Sequence, residues 1–334
     1  MSGRLEHDKK IEDKINSLIK TQPRIIKEYS NSFGNKTSST KKSYISHAIS
    51  FVNYLNKEYH LDLTNIDSIK LLNYSHISSY MNYIKTHTPD GTIVTKEAAS
   101  CAAEFYAIKH FCKYLFLCRY IDYNPCENIE VPKDKKQHEI ISLTPEEISI
   151  IKDNISKGVG SSKAKAYQSV WKSRDLCLIM LGISTGLRVT AISNIDIKDI
   201  DFKEKTLHTI EKGNIERTIY LSDKLIDIIN TWMIDRQKIL GNSCCDALFI
   251  STHKTRMGLT TIRTLLDKYT YNIPKHITPH KLRSTTATNL YESTGDIYLV
   301  ADVLGHHNIQ NTRRYAKVSD EKRIYAAEEL SKLI

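Results

Sequence analysis

Apolar positions recur at helical spacing along most of the chain. Tyr44, Ile45, Ala48, Ile49, Val52 and Leu55 fall three and four residues apart, which predicts an amphipathic helix over about residues 39–59. Ile77, Tyr80, Met81 and Ile84 predict a second over 74–85, and Ala, Phe, Tyr and Leu at the same spacing predict one or two more over 95–121, ending before Asn124-Pro125. Residues 1–22 carry Leu5, Ile11, Ile15, Leu18 and Ile19 on a polar background and read as a short helix or a frayed tail. The Ser, Asn, Thr and Gly of 30–40 read as a loop, and Thr88-Pro89-Asp90-Gly91 as a turn. This first part is therefore expected to be an all-helical bundle with lysines on its outer positions.

A polar, basic stretch poor in core residues, Val131 to Ile141, is the candidate linker. Beyond it, Thr144-Pro145-Glu146-Glu147 signals a helix start, with Thr at the N-cap, Pro at the first helical position and Glu completing a capping box. Gly158 to Lys165 reads as a Gly/Ser/Lys loop. Residues 173–183 are apolar nearly all round, the mark of a buried helix. The pattern then changes period. Residues 206–210 and 215–221 are β-prone and flank a turn at Lys212-Gly213-Asn214, predicting a small antiparallel sheet within 198–221. Helical spacing returns over 223–240, 259–270, 279–291 and 297–304, with a short apolar run at 248–250. A last amphipathic helix over 320–334 has Ile324, Ala327, Leu330 and Leu333 on one face. The expected fold is mainly α: a helical N-terminal domain over 23–130, a linker over 131–141 and a mixed α/β domain with a small antiparallel sheet over 142–319. The tail or short helix of 1–22 and the helix of 320–334 flank them.

Composition adds three constraints. At 334 residues and 40% hydrophobic, the chain has material for two real cores. The formal charge of +10 is shared, +4 over residues 1–139 (20 Lys/Arg against 16 Asp/Glu) and +6 over the rest (28 against 22), as expected if both parts touch a polyanion. The seven cysteines form no Cys-x-x-Cys pair and their odd number argues against a disulfide framework, so a reducing cytoplasm is expected, with Cys112 and Cys118 in the core. No apolar run of 18 residues, signal peptide or metal-ligand spacing stands out. No membrane, metal or cofactor is expected.

Candidate chemistry concentrates between residues 278 and 317. His280 and Arg283 stand three apart on a helix opening near Pro279, so they share a face. His306 follows Leu304-Gly305, where glycine permits a sharp turn, and Tyr315 comes nine residues later. A guanidinium grips phosphate oxygens bidentately, imidazoles move protons near neutral pH, and a phenol can be a covalent nucleophile. Together they suit a phosphodiester.

The same residues carry a resemblance. His-x-x-Arg, then Leu-Gly-His, then Tyr nine residues on, resembles the C-terminal signature of the tyrosine recombinases, the phage-integrase and Xer-like family. The family's earlier Arg after Thr-Gly-Leu is matched by Arg188, and its hairpin-turn Lys by Lys212. The resemblance is strong over the C-terminal half and general over the N-terminal half. It implies a site-specific DNA recombinase that cuts and rejoins DNA through a 3′-phosphotyrosyl intermediate, with Tyr315 as nucleophile and His280 as general base. Arg188 and Arg283 would stabilise charge on the phosphate, Lys212 would protonate the leaving 5′-oxygen, and His306 would hydrogen-bond a phosphate oxygen or the nucleophile. His307, its neighbour, is the competing assignment. The resemblance further implies that 23–130 is a core-type DNA-binding domain and that the partner is duplex DNA with an inverted-repeat core site. It implies a homotetramer on two duplexes, with 320–334 exchanged between protomers or packed on its own domain, and it allows for an accessory directionality factor. The expected location is the cytoplasm, at the nucleoid. With the helical unit starting inside the first 40 residues, the expected architecture is simple and Xer-like. Two positions depart from the family pattern. Ala191 stands where an acidic residue is common, and Ser284 where a His often follows the second Arg. A type IB topoisomerase and a catalytically idle DNA-binding protein are the competing functions.

Overall fold

The computed structural model describes residues 3–87, 92–131, 140–211, 215–306 and 308–316, with six further positions among 324–332. Two compact units are present, Gly3–Gln137 and His138–Ile334.

The first unit is all helical: α1 (Gly3–Ile19), α2 (Arg24–Ser30), α3 (Ser38–Tyr59), α4 (Ile66–Lys70), α5 (Tyr74–Thr86) and α6 (Ala98–Leu117). Helix α3 packs on α1 and α6, and α5 also packs on α6. Ile45, Phe51, Leu55, Phe105, Phe111 and Leu115 fill the space between them. The N-terminal segment is a 17-residue helix that buries Ile15. Of residues 95–121, Ala98–Leu117 form a single helix. Cys118 is its C-cap and lies exposed, whereas Cys112, one and a half turns earlier on the inner face, is buried.

Among the described residues of this unit, one charged side chain is buried. Glu104 is 2% exposed, accepts from the Tyr80 hydroxyl at 2.8 Å and the Lys96 ammonium at 2.9 Å, and has His47 Nδ1 at 3.7 Å. Desolvation pushes its pKa up, but His47, Lys96 and Tyr80 together outweigh it and hold the carboxyl at about 2. The cluster thus ties α3, α5 and the lead-in to α6 to one carboxylate.

The second unit contains α7 (Pro145–Lys157), α8 (Ser162–Ser169), α9 (Lys172–Thr185), α10 (Val189–Asn194), β1 (Ile200–Asp201), β2 (Thr206–Glu211) and β3 (Ile215–Tyr220). Then come α11 (Asp223–Leu240), α12 (Leu259–Tyr269), α13 (Pro279–Thr294), α14 (Ile297–Leu304) and α15 (Gln310–Arg313). The capping box before α7 forms as its sequence dictates: Thr144 Oγ1 accepts from Glu147 N, and Glu147 Oε2 accepts from Thr144 N. Helix α9 is the central rod, packed by α7, α11 and α13 and burying Cys177, Leu178, Ile179 and Leu181. Its first turn carries the buried carboxylate of Asp175, held by Arg174 at 2.7 Å and by the Tyr269 hydroxyl of α12 at 2.8 Å. The three strands run antiparallel in the order β1-β2-β3, with Leu207 opposite Ile219 and Thr209 opposite Arg217. Residues 248–250 are fully buried, fixed by the Trp232 indole donating to Leu248 O and Arg236 donating to Ala247 O.

The loop expected over 158–165 is interrupted by α8. Ser161 caps it by accepting from Ala164 N, and Lys, Ala, Tyr and Gln then sustain a short helix. The linker positions 132–139 lie outside the described residues, as do Thr88 to Gly91 and most of 317–334.

Because the Glu104 carboxyl is depressed in the fold, its contribution is complete above its ordinary value of 4.5 and lost as pH falls toward 2. Amide exchange in α5 and α6 is expected to speed up over that range. Glu104→Gln, which takes the carboxylate from the partly buried Lys96, is expected to cost up to about 3–5 kcal/mol at pH 7 and to flatten this acid dependence. An unchanged acid response in the variant would contradict the assignment.

Candidate active site

The site is built where three chain turns meet. Helix α9 ends at Gly186, whose φ of +62° is the left-handed conformation that closes a helix. Gly186 has a second constraint. A Cβ there would stand 2.7 Å from Leu304 Cδ2 and 3.3 Å from Thr286 Cβ, so only glycine fits against α13 and α14. Leu187 then turns into the core and Arg188 emerges, partly exposed, as the N-cap of α10.

Helix α13 opens with Pro279 at its first position and presents His280 and Arg283 one turn apart. Arg283 is 2% exposed. It donates through one terminal nitrogen to Gly186 O at 2.7 Å and through the other to Leu304 O at 2.5 Å. The guanidinium therefore bridges the turn that carries Arg188 and the turn that carries His306. Thr286, one turn on, adds a hydroxyl bond to Ile183 O at 2.6 Å.

His280 reaches solvent, yet its surroundings lower its pKa from 6.5. Partial desolvation is the largest cause, followed by the positive charges of Arg283, Arg314, Lys281 and Arg188. A neutral imidazole among four cations is a basic acceptor inside an anion-attracting field. Ala191 is partly buried against the core, so a methyl group occupies the position of the family's usual acid. Ser284 is buried, its hydroxyl turned back to His280 O within the helix at 3.2 Å.

Helix α14 ends at Gly305, again left-handed, and releases His306. Thr312 Oγ1 lies 2.8 Å from His306 Nδ1, and the His306 and Tyr315 rings are near parallel, 13° apart, with centroids separated by 6.5 Å. Tyr315 is only 5% exposed. It packs with Ala287, Val300 and Leu304, and Ile140, Leu290 and Tyr291 border the cluster. The Arg314 guanidinium lies 5.8 Å from the Tyr315 ring centroid.

The fold thus gathers Arg188, His280 and Arg283 in one field and pairs His306 with Tyr315 on the neighbouring turn. Lys212 and His307 lie outside the described residues. Two contributors were not singled out from sequence. Arg314 precedes Tyr315 and acts on both His280 and the Tyr315 ring, and Thr312 orients His306. Their signal in the sequence is the run Thr312-Arg313-Arg314-Tyr315, which sets a hydroxyl and two guanidinium groups directly before the tyrosine. Among the described residues no cluster of His, Cys, Asp or Glu could hold a metal, and no helix is long and apolar enough to cross a membrane.

Residues 142–322 match the model of the phage integrase family. The chain is 29% identical over 323 residues to the tyrosine recombinase XerC of Caldanaerobacter subterraneus subsp. tengcongensis, covering 90% of this chain and 84% of the relative. In fold it resembles the XerH site-specific recombinase bound to difH substrate in a pre-cleavage complex. That TM-score is 0.66 at 18% identity, covering 96% of this chain and 88% of that one. It also resembles a lambda integrase fragment bound as a dimer to a core site, at a TM-score of 0.63 and 17% identity, with coverage of 88% and 94%.

In the free protein, His280 is expected to titrate below 6.5, as read from its ring proton shifts. Arg314→Gln removes a like charge and should move the midpoint up toward 6.5. Bound duplex DNA should also move it up, because phosphate favours the imidazolium. A wild-type midpoint at or above 6.5 would contradict the cationic field described here.

Proposed function

This chain belongs to the phage integrase family, and we propose that it is a tyrosine-type site-specific DNA recombinase in which Tyr315 cuts and rejoins duplex DNA. The observation that carries this reading is the field around His280: three arginines and a lysine act on one imidazole in the first turn of α13, with the paired rings of His306 and Tyr315 on the neighbouring turn. Such a field suits a phosphodiester more than a neutral substrate.

In the proposed reaction the Tyr315 oxygen attacks the scissile phosphorus. Its proton passes to His280, a 3′-phosphotyrosyl bond forms, and the P–O5′ bond breaks as Lys212 protonates the departing 5′-oxygen. A 5′-hydroxyl from the exchanging strand then attacks the phosphorus and releases Tyr315, with the protons returning by the same groups. Arg188 and Arg283 stabilise the charge on the non-bridging oxygens, a contribution on the order of 10²–10³ in rate for each such donor. His306 hydrogen-bonds a phosphate oxygen or the phenol. Since Tyr315 is packed against α14, attack requires the tyrosine to leave that apolar contact.

Double-stranded DNA is the partner. Its core site is proposed to be an inverted repeat, bound by a homotetramer that holds two duplexes, with room for an accessory directionality factor. The helical unit serves as a core-type DNA-binding domain over 23–130, followed by the linker at 131–141 and the catalytic domain over 142–319. The DNA substrate puts the protein at the nucleoid. At the C-terminal end, Ile324, Ala327 and Leu330 are exposed, an arrangement that suits docking of 320–334 on a neighbouring protomer.

Incubating the chain with a library of nicked duplex fragments tests the chemistry. Wild type is expected to yield a covalent protein–DNA adduct on denaturing gels. Tyr315→Phe should bind the same DNA and yield none. An adduct that survives in Tyr315→Phe would move the nucleophile elsewhere. Relaxation of supercoiled DNA lacking the recovered site would favour a topoisomerase instead. Removing 320–334 should spare single-site binding and weaken pairing of two duplexes, and normal recombination by that truncated chain would reject the exchange role.

A further inference from the structure

The turn that carries His306 is gripped from two sides, and only one grip belongs to the chemistry described so far. Helix α14 has eight residues, and the last carbonyls of any helix run out of intrahelical donors. Arg283 supplies one donor, to Leu304 O. The other comes from the sheet. Arg217, on β3, donates to Asp302 O at 2.9 Å and also to Val303 O. A cation at a helix C-terminus is further favoured by the helix dipole.

The position of Arg217 makes this link directional. It lies 85 residues from Asp302 in sequence, so the contact joins two elements far apart in the chain. In the β2–β3 ladder it is paired with Thr209, and Leu207 pairs with Ile219, so these four alternate positions share one face of the hairpin. Leu207, Thr209 and Ile219 are buried, and the Thr209 hydroxyl has no hydrogen-bond partner among the described residues. Arg217 itself is partly exposed, its bond to Asp302 O lying at the surface and its bond to Val303 O half-buried at the edge of that apolar face. From Val303 the chain runs directly through Leu304 and Gly305 to His306, and Leu304 also walls the Tyr315 pocket.

We propose that Arg217 is a positioning residue: it ties the β2–β3 hairpin to the C-terminus of α14 and so sets the placement of His306 for the reaction at Tyr315. This rests on the recombinase reading above. The guanidinium has no role at the phosphate itself. A movement of the hairpin on binding DNA would pass through Arg217 to the His306 turn, a connection between a substrate-facing element and the reacting group.

The test compares Arg217→Met and Arg217→Lys in the full chain, on a nicked duplex carrying the sequence recovered from wild-type adducts. Arg217→Met is expected to lower the single-turnover rate of adduct formation at saturating DNA by about 10²-fold, the usual penalty for misplacing a reacting group by about an ångström. Kd should stay within about threefold. Arg217→Lys, which keeps the charge and can reach one carbonyl, should recover much of the rate. In a His306→Ala background the Arg217→Met penalty should shrink severalfold, since the ring it positions is gone. A rate loss of equal size with and without His306, no rescue by lysine, or a loss seen in Kd rather than rate would overturn the proposal. A wild type that forms no adduct would instead reject the recombinase reading. In that event the link is tested in the free protein, through the amides of Gly305 and His306, which donate to Asp302 O and Ala301 O. Their exchange should be at least tenfold faster in Arg217→Met, and unchanged exchange rejects the link.

Discussion

The site depends on one buried guanidinium. Arg283 is almost fully enclosed, and the contacts that define its place are two main-chain carbonyls from distant parts of the chain, Gly186 O and Leu304 O. Burying a cation is costly unless its donors are met. Here each terminal nitrogen meets a carbonyl at a helix C-terminus, where the backbone already carries partial negative charge. The constraint runs both ways. The carbonyls hold the guanidinium in a fixed orientation, which preorganised phosphate binding requires. The guanidinium holds the Arg188 turn and the His306 turn at one separation. Gly186 is glycine for the same reason, since a side chain there would push Leu304 away.

Seen from that clamp, the electrostatics of the site are lopsided by construction. The leading charges acting on His280 are all positive, and the position where relatives of this pattern often carry an acid is a methyl group facing the core. Elsewhere the protein pairs its buried charges internally, as at Glu104 with Lys96 and at Asp175 with Arg174. Charge neutralised inside the fold contributes to stability and specificity of packing. Charge left in excess at a surface turn attracts an anion. The two kinds of arginine in this chain are told apart by their partners.

Those partners also mark the limit of what the sequence could reveal. The helix start at Thr144 was legible because its donors and acceptors lie within four residues. The α3 and α9 helices were legible because each has enough length for its apolar period to show. Helices α4, α8 and α10, at five to eight residues, are too short for a periodic signal and form because caps and tertiary contacts support them. Arg188, His280, Arg283, His306 and Tyr315 stood out as candidates through order, spacing and the family resemblance. The bridging of Arg283 was not legible, because Gly186 and Leu304 meet it only after α9 and α14 have packed on α13. The link from Arg217 to α14 spans 85 residues and carries no local trace. Burial of Tyr315 was likewise hidden, since its pocket is assembled from two helices and a segment more than 170 residues upstream.

The burial of Tyr315 and the placement of His306 are consequences of the same short helix. Asp296 caps the start of α14 by accepting from Tyr298 N at 2.8 Å and Leu299 N at 3.0 Å. Its end is fixed by Arg283, Arg217 and the left-handed Gly305. Between these anchors, Val300 and Leu304 form the floor on which the tyrosine rests. Burying the apolar body of an aromatic ring is worth roughly 1.5–3 kcal/mol, a preference of about ten- to a hundredfold for the docked phenol. That bias is small enough for contacts with a bound duplex to reverse, and large enough to keep the phenol covered in their absence. A helix held at both ends can impose it without moving His306, so the placement of one ring and the docking of the other are served by one element.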